Sequence, residues 1–180
     1  MVGDSWTHKI ARVCISPLID TPITPNHITI LRLITGLIAC GAFALKMNIL
    51  GGIIWLISTF LDRADGELAR ASNKISAWGH KFDYYTDTFI TALFFLAIGI
   101  NLLELLPGYV SIILGLSASF GVIFTEFFAE IIDQRKKPSG EKAYSGIAGF
   151  DFDDIIYLFA PIVWLDLHLY FLIGASIGAP

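Results

Sequence analysis

Long apolar runs alternate with short polar stretches along this chain. They predict helices over residues 27–45, 49–72, 81–103, 107–133 and 152–165, and a thinner apolar segment over 167–179. Pro161 falls inside the fifth of these and predicts a kink there. Ahead of them, residues 4–18 predict a short amphipathic helix. Trp6, Ile10, Val13 and Cys14 share one face, with Lys9 and Arg12 away from it, as in a helix lying at a membrane interface. Pro17, Pro22 and Pro25 end that segment, and Asn26 or a neighbouring Thr caps the first long helix. The predicted fold class is all-α: a polytopic membrane protein of about six transmembrane helices with an N-terminal interfacial helix. Residues 1–180 form one membrane domain, of which 1–25 are the interfacial segment. The last apolar segment spans roughly 20 Å as a helix, less than a hydrocarbon core of about 30 Å. The sixth helix is therefore expected to be tilted, half-spanning, supported by a partner, or incomplete.

Composition supports the membrane reading. Hydrophobic residues make up 55% of the chain, charged residues only 16%, and the mean hydropathy is +0.69. The formal net charge of −4 says little about partners, because the charges divide by side of the membrane; no nucleic-acid partner is predicted. Cys14 and Cys40 stand far apart in unlike settings, so no disulfide framework is expected. His8, His27, His80 and His168 lack metal-ligand spacing and are read as structural.

One polar stretch does not fit a lipid-facing chain. Residues 62–87 read D-x2-D-G-x2-A-R-x8-G-x3-D-x3-D and sit between uncharged runs at 49–61 and 88–103. Asp62, Asp65, Gly66 and Ala69 fall at i, i+3, i+4 and i+7, one stripe of a helix; Asp83 and Asp87 fall at i and i+4 of the next. A short loop between two such helices makes them antiparallel, so their carboxylates can face one another. Unpaired anions gathered at one point repel and resist ionisation. Hard divalent cations held by oxygen ligands remove that conflict, and Mg²⁺ usually brings substrate phosphate oxygens with it. Two such ions can hold a diphosphate and stabilise attacking and leaving oxygens. Gly66 and Ala69 leave room between the acids, and Arg70 is a permanent cation suited to phosphate. The competing reading, in which these acids merely pair with Arg63, Arg70, Lys74 and Lys81 on a solvated loop, fits any single Asp but not the whole set between apolar runs.

The pattern resembles the signature of the CDP-alcohol phosphotransferase (CDP-alcohol phosphatidyltransferase) family, integral-membrane enzymes of phospholipid synthesis. All eight fixed positions match: Asp62, Asp65, Gly66, Ala69, Arg70, Gly79, Asp83 and Asp87. Pro25, Asn26 and Thr29 also resemble a shorter Pro-Asn-x-x-Thr stretch of the family. The resemblance implies that Asp62, Asp65, Asp83 and Asp87 hold two divalent cations, Mg²⁺ or Mn²⁺. It implies that Asp87 is also the catalytic base toward an acceptor hydroxyl. Gly66, Ala69, Arg70 and Gly79, with Asn26 and Thr29, would form the CDP site. The donor is expected to be a CDP-linked lipid, CDP-diacylglycerol first among them, and the acceptor a small polar alcohol, with CMP released. A homodimer in the lipid bilayer is the family expectation.

Counting residues from the uncharged end of each helix places the site in depth. From Lys46 to Arg32, Ile49 to Asp62, and Asn101 to Asp87 the distance is roughly 20 Å in each case. Arg32, Asp62 and Asp87 should therefore lie at one level below a single membrane surface, in a polar cavity open to that side. Only Lys46 lies at the far face, so the positive-inside rule makes the site's face cytoplasmic.

Arg135, Lys136 and Lys137, with Lys142, form the strongest basic cluster. They read first as the positive-inside flank of a helix and second as a holder for a phosphorylated acceptor. Glu126 and Glu130 either line the cavity or face water and pair with Arg135. Residues 138–146 read as a flexible cytoplasmic loop, and Asp151, Asp153 and Asp154 suit a helix N-terminus or a hydroxyl-rich acceptor. Two rival functions remain: a Mg²⁺-dependent prenyltransferase, which the short chain and the Gly66, Ala69, Arg70 spacing disfavour, and a transporter with an intramembrane carboxylate cation site.

Overall fold

The computed structural model describes residues 6–107, 109–136 and 152–178. All regular structure among them is helical. An N-terminal helix α1 (Trp6–Ile15) precedes α2 (Pro25–Ala44), α3 (Asn48–Ala71), α4 (Ala77–Asn101) and α5 (Val110–Lys136). Two short helices follow, α6 (Phe159–Trp164) and α7 (His168–Gly178); 3₁₀ turns occupy Ser16–Leu18, Leu102–Glu104 and Phe152–Leu158. Among the described residues, three segments are long and apolar enough to cross a membrane: Pro25–Ala44, Ala77–Glu104 and Val110–Ile132. The 24-residue α3 is as long, but charge fills its second half, from Asp62 to Arg70.

The helix ends explain where the predicted boundaries moved. Pro25 opens α2 two residues earlier than predicted, where its missing N–H costs nothing, and the Thr24 N–H donates to His27 Nδ1 at 3.1 Å. The Ser76 hydroxyl accepts the Gly79 N–H at 3.0 Å, so α4 begins at Ala77 rather than at residue 81. Helix α5 begins at Val110, three residues beyond Pro107. Helices α2, α3 and α6 end alike, on Lys46, Asn73 and Asp166 in left-handed backbone. The N–H that follows each reaches back across the turn: Met47 to Ala42 O, Lys74 to Ala69 O and Leu167 to Ile162 O, at 2.9–3.1 Å. No glycine marks these ends in the sequence. The segment predicted as one kinked helix over 152–165 is instead a 3₁₀ turn that becomes α-helix at Phe159. Pro161 then sits in the first turn of α6, where no intrahelical N–H bond is required.

Helix α3 is the centre of the bundle, packing on α1, α2 and α6, while α4 packs on α2 and α5, and α7 on α5. Buried aromatic rings fill the interior. Trp55 lies 4.7 Å from Phe94 and stacks on Phe159 at 5.8 Å, and Phe43 meets Phe94 edge-on at 5.4 Å. The indole N–H of Trp55 donates to Ile156 O at 3.0 Å, satisfying the one polar group it buries. Helices α4 and α5 touch backbone to backbone: a Cβ on Gly99 would lie 2.6 Å from Ser111 O, and one on Gly115 2.8 Å from Phe95 O. A second apolar cluster, Ile15, Ile28, Ala64 and Leu68, braces the charged half of α3 against α1 and α2.

The surface is apolar as well. Ile30, Leu31, Ile34, Leu37 and Ile38 of α2 and Ile113, Leu116, Phe120, Phe124 and Phe127 of α5 are exposed, as expected of side chains solvated by lipid. Helix α1 presents Trp6, Ile10 and Val13 outward and buries Thr7, His8, Ala11 and Ile15 against the bundle. The apolar face predicted to seek the interface is thus the one left uncovered. Helices α6 and α7 are the short apolar pair at the C-terminal end, α7 being 11 residues long.

Candidate active site

Helices α2, α3 and α4 bring the predicted depth level together around one guanidinium. Arg32, buried on α2, places Nη1 2.6 Å from Asp62 Oδ1 and 3.2 Å from Asp83 Oδ1, and its other terminal nitrogen pairs with Asp87. Ser58 of α3 donates to Arg32 O at 3.0 Å, pinning α2 to α3 at this level. Asp62, Asp83 and Asp87 each offer a carboxylate oxygen within 4.8 Å of the others. Three carboxylates face one guanidinium, so the charge around Arg32 remains negative by two. Oxygen donors with excess negative charge are the ligand set that hard divalent cations take.

Asp65 stands one turn further along α3, buried, with Oδ2 accepting the Thr29 hydroxyl at 2.7 Å. It opens onto a cavity of about 180 Å³ lined by Asn26, Thr29, Asp65, Gly66, Ala69, Arg70, Gly79 and Asp83, with Lys74, Ser76 and His80 at its edge. All six residues expected around CDP line this one cavity. A second cavity, of about 360 Å³, is lined by Asp62, Asp83 and Asp87 together with His8, Arg63, Tyr84, Thr91 and Glu126. Gly66, Arg70, His80 and Asp83 line both, so the two spaces meet beside the carboxylates. Gly66 has no protein atom closer than 3.4 Å to the position a Cβ would take. Its missing side chain therefore serves the open space rather than helix packing.

Three of the cations near the aspartates in sequence have other partners. Arg63 Nη2 meets Asp154 Oδ1 at 3.2 Å, Arg70 Nη2 meets Glu67 Oε1 at 2.7 Å, and Lys74 Nζ donates to Thr21 O and Ile23 O. Arg32, read from sequence only for its depth, is the residue that compensates the cluster. Sequence reasoning also missed that His8 and Arg63 line the second cavity and that Glu67 ties His8 to Arg70 behind it. His8 Nδ1 lies 2.6 Å from Glu67 Oε1, so its structural reading becomes a specific one. The Arg70–Glu67 pair at i, i+3 was legible as a helix-surface pair, whereas contacts to His8 and Asp154 cross 59 and 91 residues. Asp154 is buried and accepts the Thr7 hydroxyl at 2.9 Å as well, a role unlike the helix N-terminal one expected.

Glu126 lines the second cavity, and Glu130 stands 3.6 Å from His80 Nε2. The side chains of Arg135, Lys136 and Asp153 lie outside the described residues, as do Lys137, Lys142, Asp151 and the loop 138–146. Cys14 and Cys40 are both free, the first exposed and the second buried.

The helices thus gather carboxylates, an arginine and two adjoining cavities at one level, groups whose chemistry suits divalent cations and phosphate. The match to known proteins makes this specific: the family model for CDP-alcohol phosphatidyltransferase covers residues 22–173, and the chain belongs to that family. It is 43% identical over 79 residues to an archaetidylinositol phosphate synthase of Pyrococcus horikoshii, covering 43% of this chain and 42% of that protein. It is 33% identical over 88 residues to a bifunctional IPC transferase and DIPP synthase of Aquifex aeolicus, covering 49% of this chain and 20% of that protein. A protein of the same description from Archaeoglobus fulgidus is 38% identical over 81 residues, covering 44% of this chain and 16% of its own length. The chain thus spans under half the length of these curated relatives. The family uses divalent cations, and the Asp62, Asp83 and Asp87 oxygens are a donor set that suits them.

Proposed function

We propose that the protein transfers a lipid-bearing phosphoryl group from a CDP-linked lipid to a phosphorylated polyol of the inositol phosphate type, releasing CMP. The observation that carries this reading is the meeting of the carboxylate cluster with a cavity that unites all six residues expected around CDP. The acceptor rests on the Pyrococcus horikoshii relative, whose name specifies archaetidylinositol phosphate, and on the basic run Arg135, Lys136 and Lys137. For the lipid, CDP-diacylglycerol and a CDP-linked archaetidyl donor share the diphosphate the site would grip.

Asp62, Asp65, Asp83 and Asp87 would hold two divalent cations, Mg²⁺ or Mn²⁺. Bound there, such ions neutralise the diphosphate and stabilise the entering and departing oxygens. The remaining work falls to side chains. Arg70, lining both cavities, grips the diphosphate, while Gly66 and Ala69 leave it room and Asn26, Thr29 and Gly79 shape the nucleotide end. Asp87, in the second cavity, takes the proton from the acceptor hydroxyl. The freed oxygen attacks the phosphorus that carries the lipid; the bond from that phosphorus to the bridging oxygen breaks, and CMP leaves with the electron pair. The reaction needs positioning and charge compensation more than covalent help from the protein. The site would face the cytoplasm, with the Lys46–Glu104 ion pair at the opposite end of the bundle, and the protein would act as a homodimer.

CMP release by the purified protein in lipid-containing micelles tests this. CDP-diacylglycerol or a CDP-linked ether lipid is supplied with Mg²⁺ or Mn²⁺, and inositol phosphate, glycerol phosphate, inositol and serine are added singly. CMP that appears only with inositol phosphate and stops with EDTA is the expected result. Release with an unphosphorylated acceptor alone would overturn the acceptor, and failure to bind CDP would return the transporter reading.

A further inference from the structure

We propose that Glu67 is a positioning residue for Arg70, and that helix α1 completes the holder through His8 and Arg12. This inference rests on the diphosphate role proposed for Arg70.

Glu67 lies between Asp65 and Arg70 on α3 but points away from the aspartates. It is 3% exposed, and its carboxylate gathers three partners from two helices. Arg70 Nη2 lies 2.7 Å from Oε1, His8 Nδ1 2.6 Å from Oε1, and Arg12 Nε 2.8 Å from Oε2. A buried carboxylate needs such company, because one exposed i, i+3 arginine would not offset its desolvation. Helix α1 supplies the difference. The same helix reaches further: His8 Nε2 lies 3.2 Å from Arg63 Nη1, and both Arg63 and Thr7 bond Asp154 of the Phe152–Leu158 turn.

The consequence falls on Arg70. Its side chain is 54% exposed and its guanidinium borders both cavities. A free arginine at such a place loses much of its rotamer freedom when it grips phosphate. Anchored at one terminal nitrogen by Glu67, it keeps its other donors for the ligand and enters binding already ordered. Since α1 exposes Trp6, Ile10 and Val13 on its outer face, the helix expected at the interface also borders the second cavity, through His8.

Glu67→Gln tests the holder, because an amide offers one acceptor oxygen where three donors converge. Calorimetric binding of CDP with Mg²⁺ is measured beside CMP release. The variant is expected to weaken CDP binding and raise the donor KM by up to about thirtyfold, the rotamer entropy of an arginine left unanchored, with kcat changed less than the KM. Adding Glu67→Gln to Arg70→Ala should change CDP affinity no further, since Glu67 acts through Arg70. Additive losses, or an unchanged donor KM in Glu67→Gln, overturn the proposal. Should Glu67→Gln fail to fold, Arg12→Gln decides, since the Arg12 side chain is 47% exposed and bears little packing. A several-fold loss of CDP affinity, restored by Arg12→Lys, is expected, and unchanged affinity overturns the holder. A parent protein that binds no CDP would instead refute the function on which the holder rests.

Discussion

Replacing Arg32 by Met is the perturbation whose effect the site geometry constrains most. The methionine keeps the apolar stem and removes the guanidinium that meets Asp62, Asp83 and Asp87. Arg32 is 4% exposed and the three carboxylates it meets are a fifth to a third exposed, so solvent screens what is left only in part. The local balance falls from negative two to negative three, with three carboxylate oxygens still within 4.8 Å of one another. Removing one partner of a buried ion pair costs about 3–5 kcal/mol. In a chain of this size each kcal/mol lowers the melting temperature by about 2–4 °C, so a drop of roughly 6–20 °C follows. The assay is thermal unfolding in detergent, followed by tryptophan fluorescence in EDTA and again in Mg²⁺. The variant should fall by that amount in EDTA and regain more on Mg²⁺ addition than the parent does, because the ion supplies the missing charge. A variant within about 2 °C of the parent in EDTA, or one that gains no more from Mg²⁺, refutes the role given to Arg32.

Gly66→Ala should fold normally, since the nearest atom to the new methyl is the movable end of Arg70 at 3.4 Å, yet raise the donor KM by narrowing both cavities; melting and kinetics together check this. Gly99→Ala should do the reverse, costing about 1–3 kcal/mol of stability through its 2.6 Å approach to Ser111 O, with turnover per folded molecule preserved. Asp87→Asn should abolish CMP release while leaving a folded protein by circular dichroism, and near-parental turnover would remove it as the base. The double variant Lys136→Ala with Lys137→Ala should raise the acceptor KM without moving the donor KM; equal shifts in both, or none, would detach that cluster from acceptor binding.

The helices and the depth of the site were legible because both follow from one-dimensional counts. Runs free of charge gave the spans, and the distances from Lys46 to Arg32 and from Asn101 to Asp87 gave the level at which the charges meet. The eight-position pattern marked the carboxylates and the cavity residues with the same directness. What the sequence hid was pairing across the chain. That Arg32 turns to the aspartates, while Arg63 turns to Asp154 and Glu67 to His8 and Arg12, depends on which way each helix rotates within the bundle. Apolar periodicity cannot fix that rotation in helices solvated by lipid, because the outer face is as apolar as the inner one. The ends predicted at 45, 72 and 165 fall within one residue of Ala44, Ala71 and Trp164, although left-handed Lys46, Asn73 and Asp166 rather than glycines make those stops; the starts of α2, α4 and α5 moved further. Pro161 was read as a kink inside one helix, whereas the chain passes from 3₁₀ to α-helix at Phe159 and Pro161 sits in the first turn of α6.

The most direct test of the metal-centred site is anomalous scattering from Mn²⁺ in crystals grown with CDP. Peaks bounded by the carboxylates of Asp62, Asp65, Asp83 and Asp87, with the CDP diphosphate beside Arg70, are the expected result. Peaks elsewhere in the bundle, or none at a Mn²⁺ concentration that supports CMP release, would contradict it.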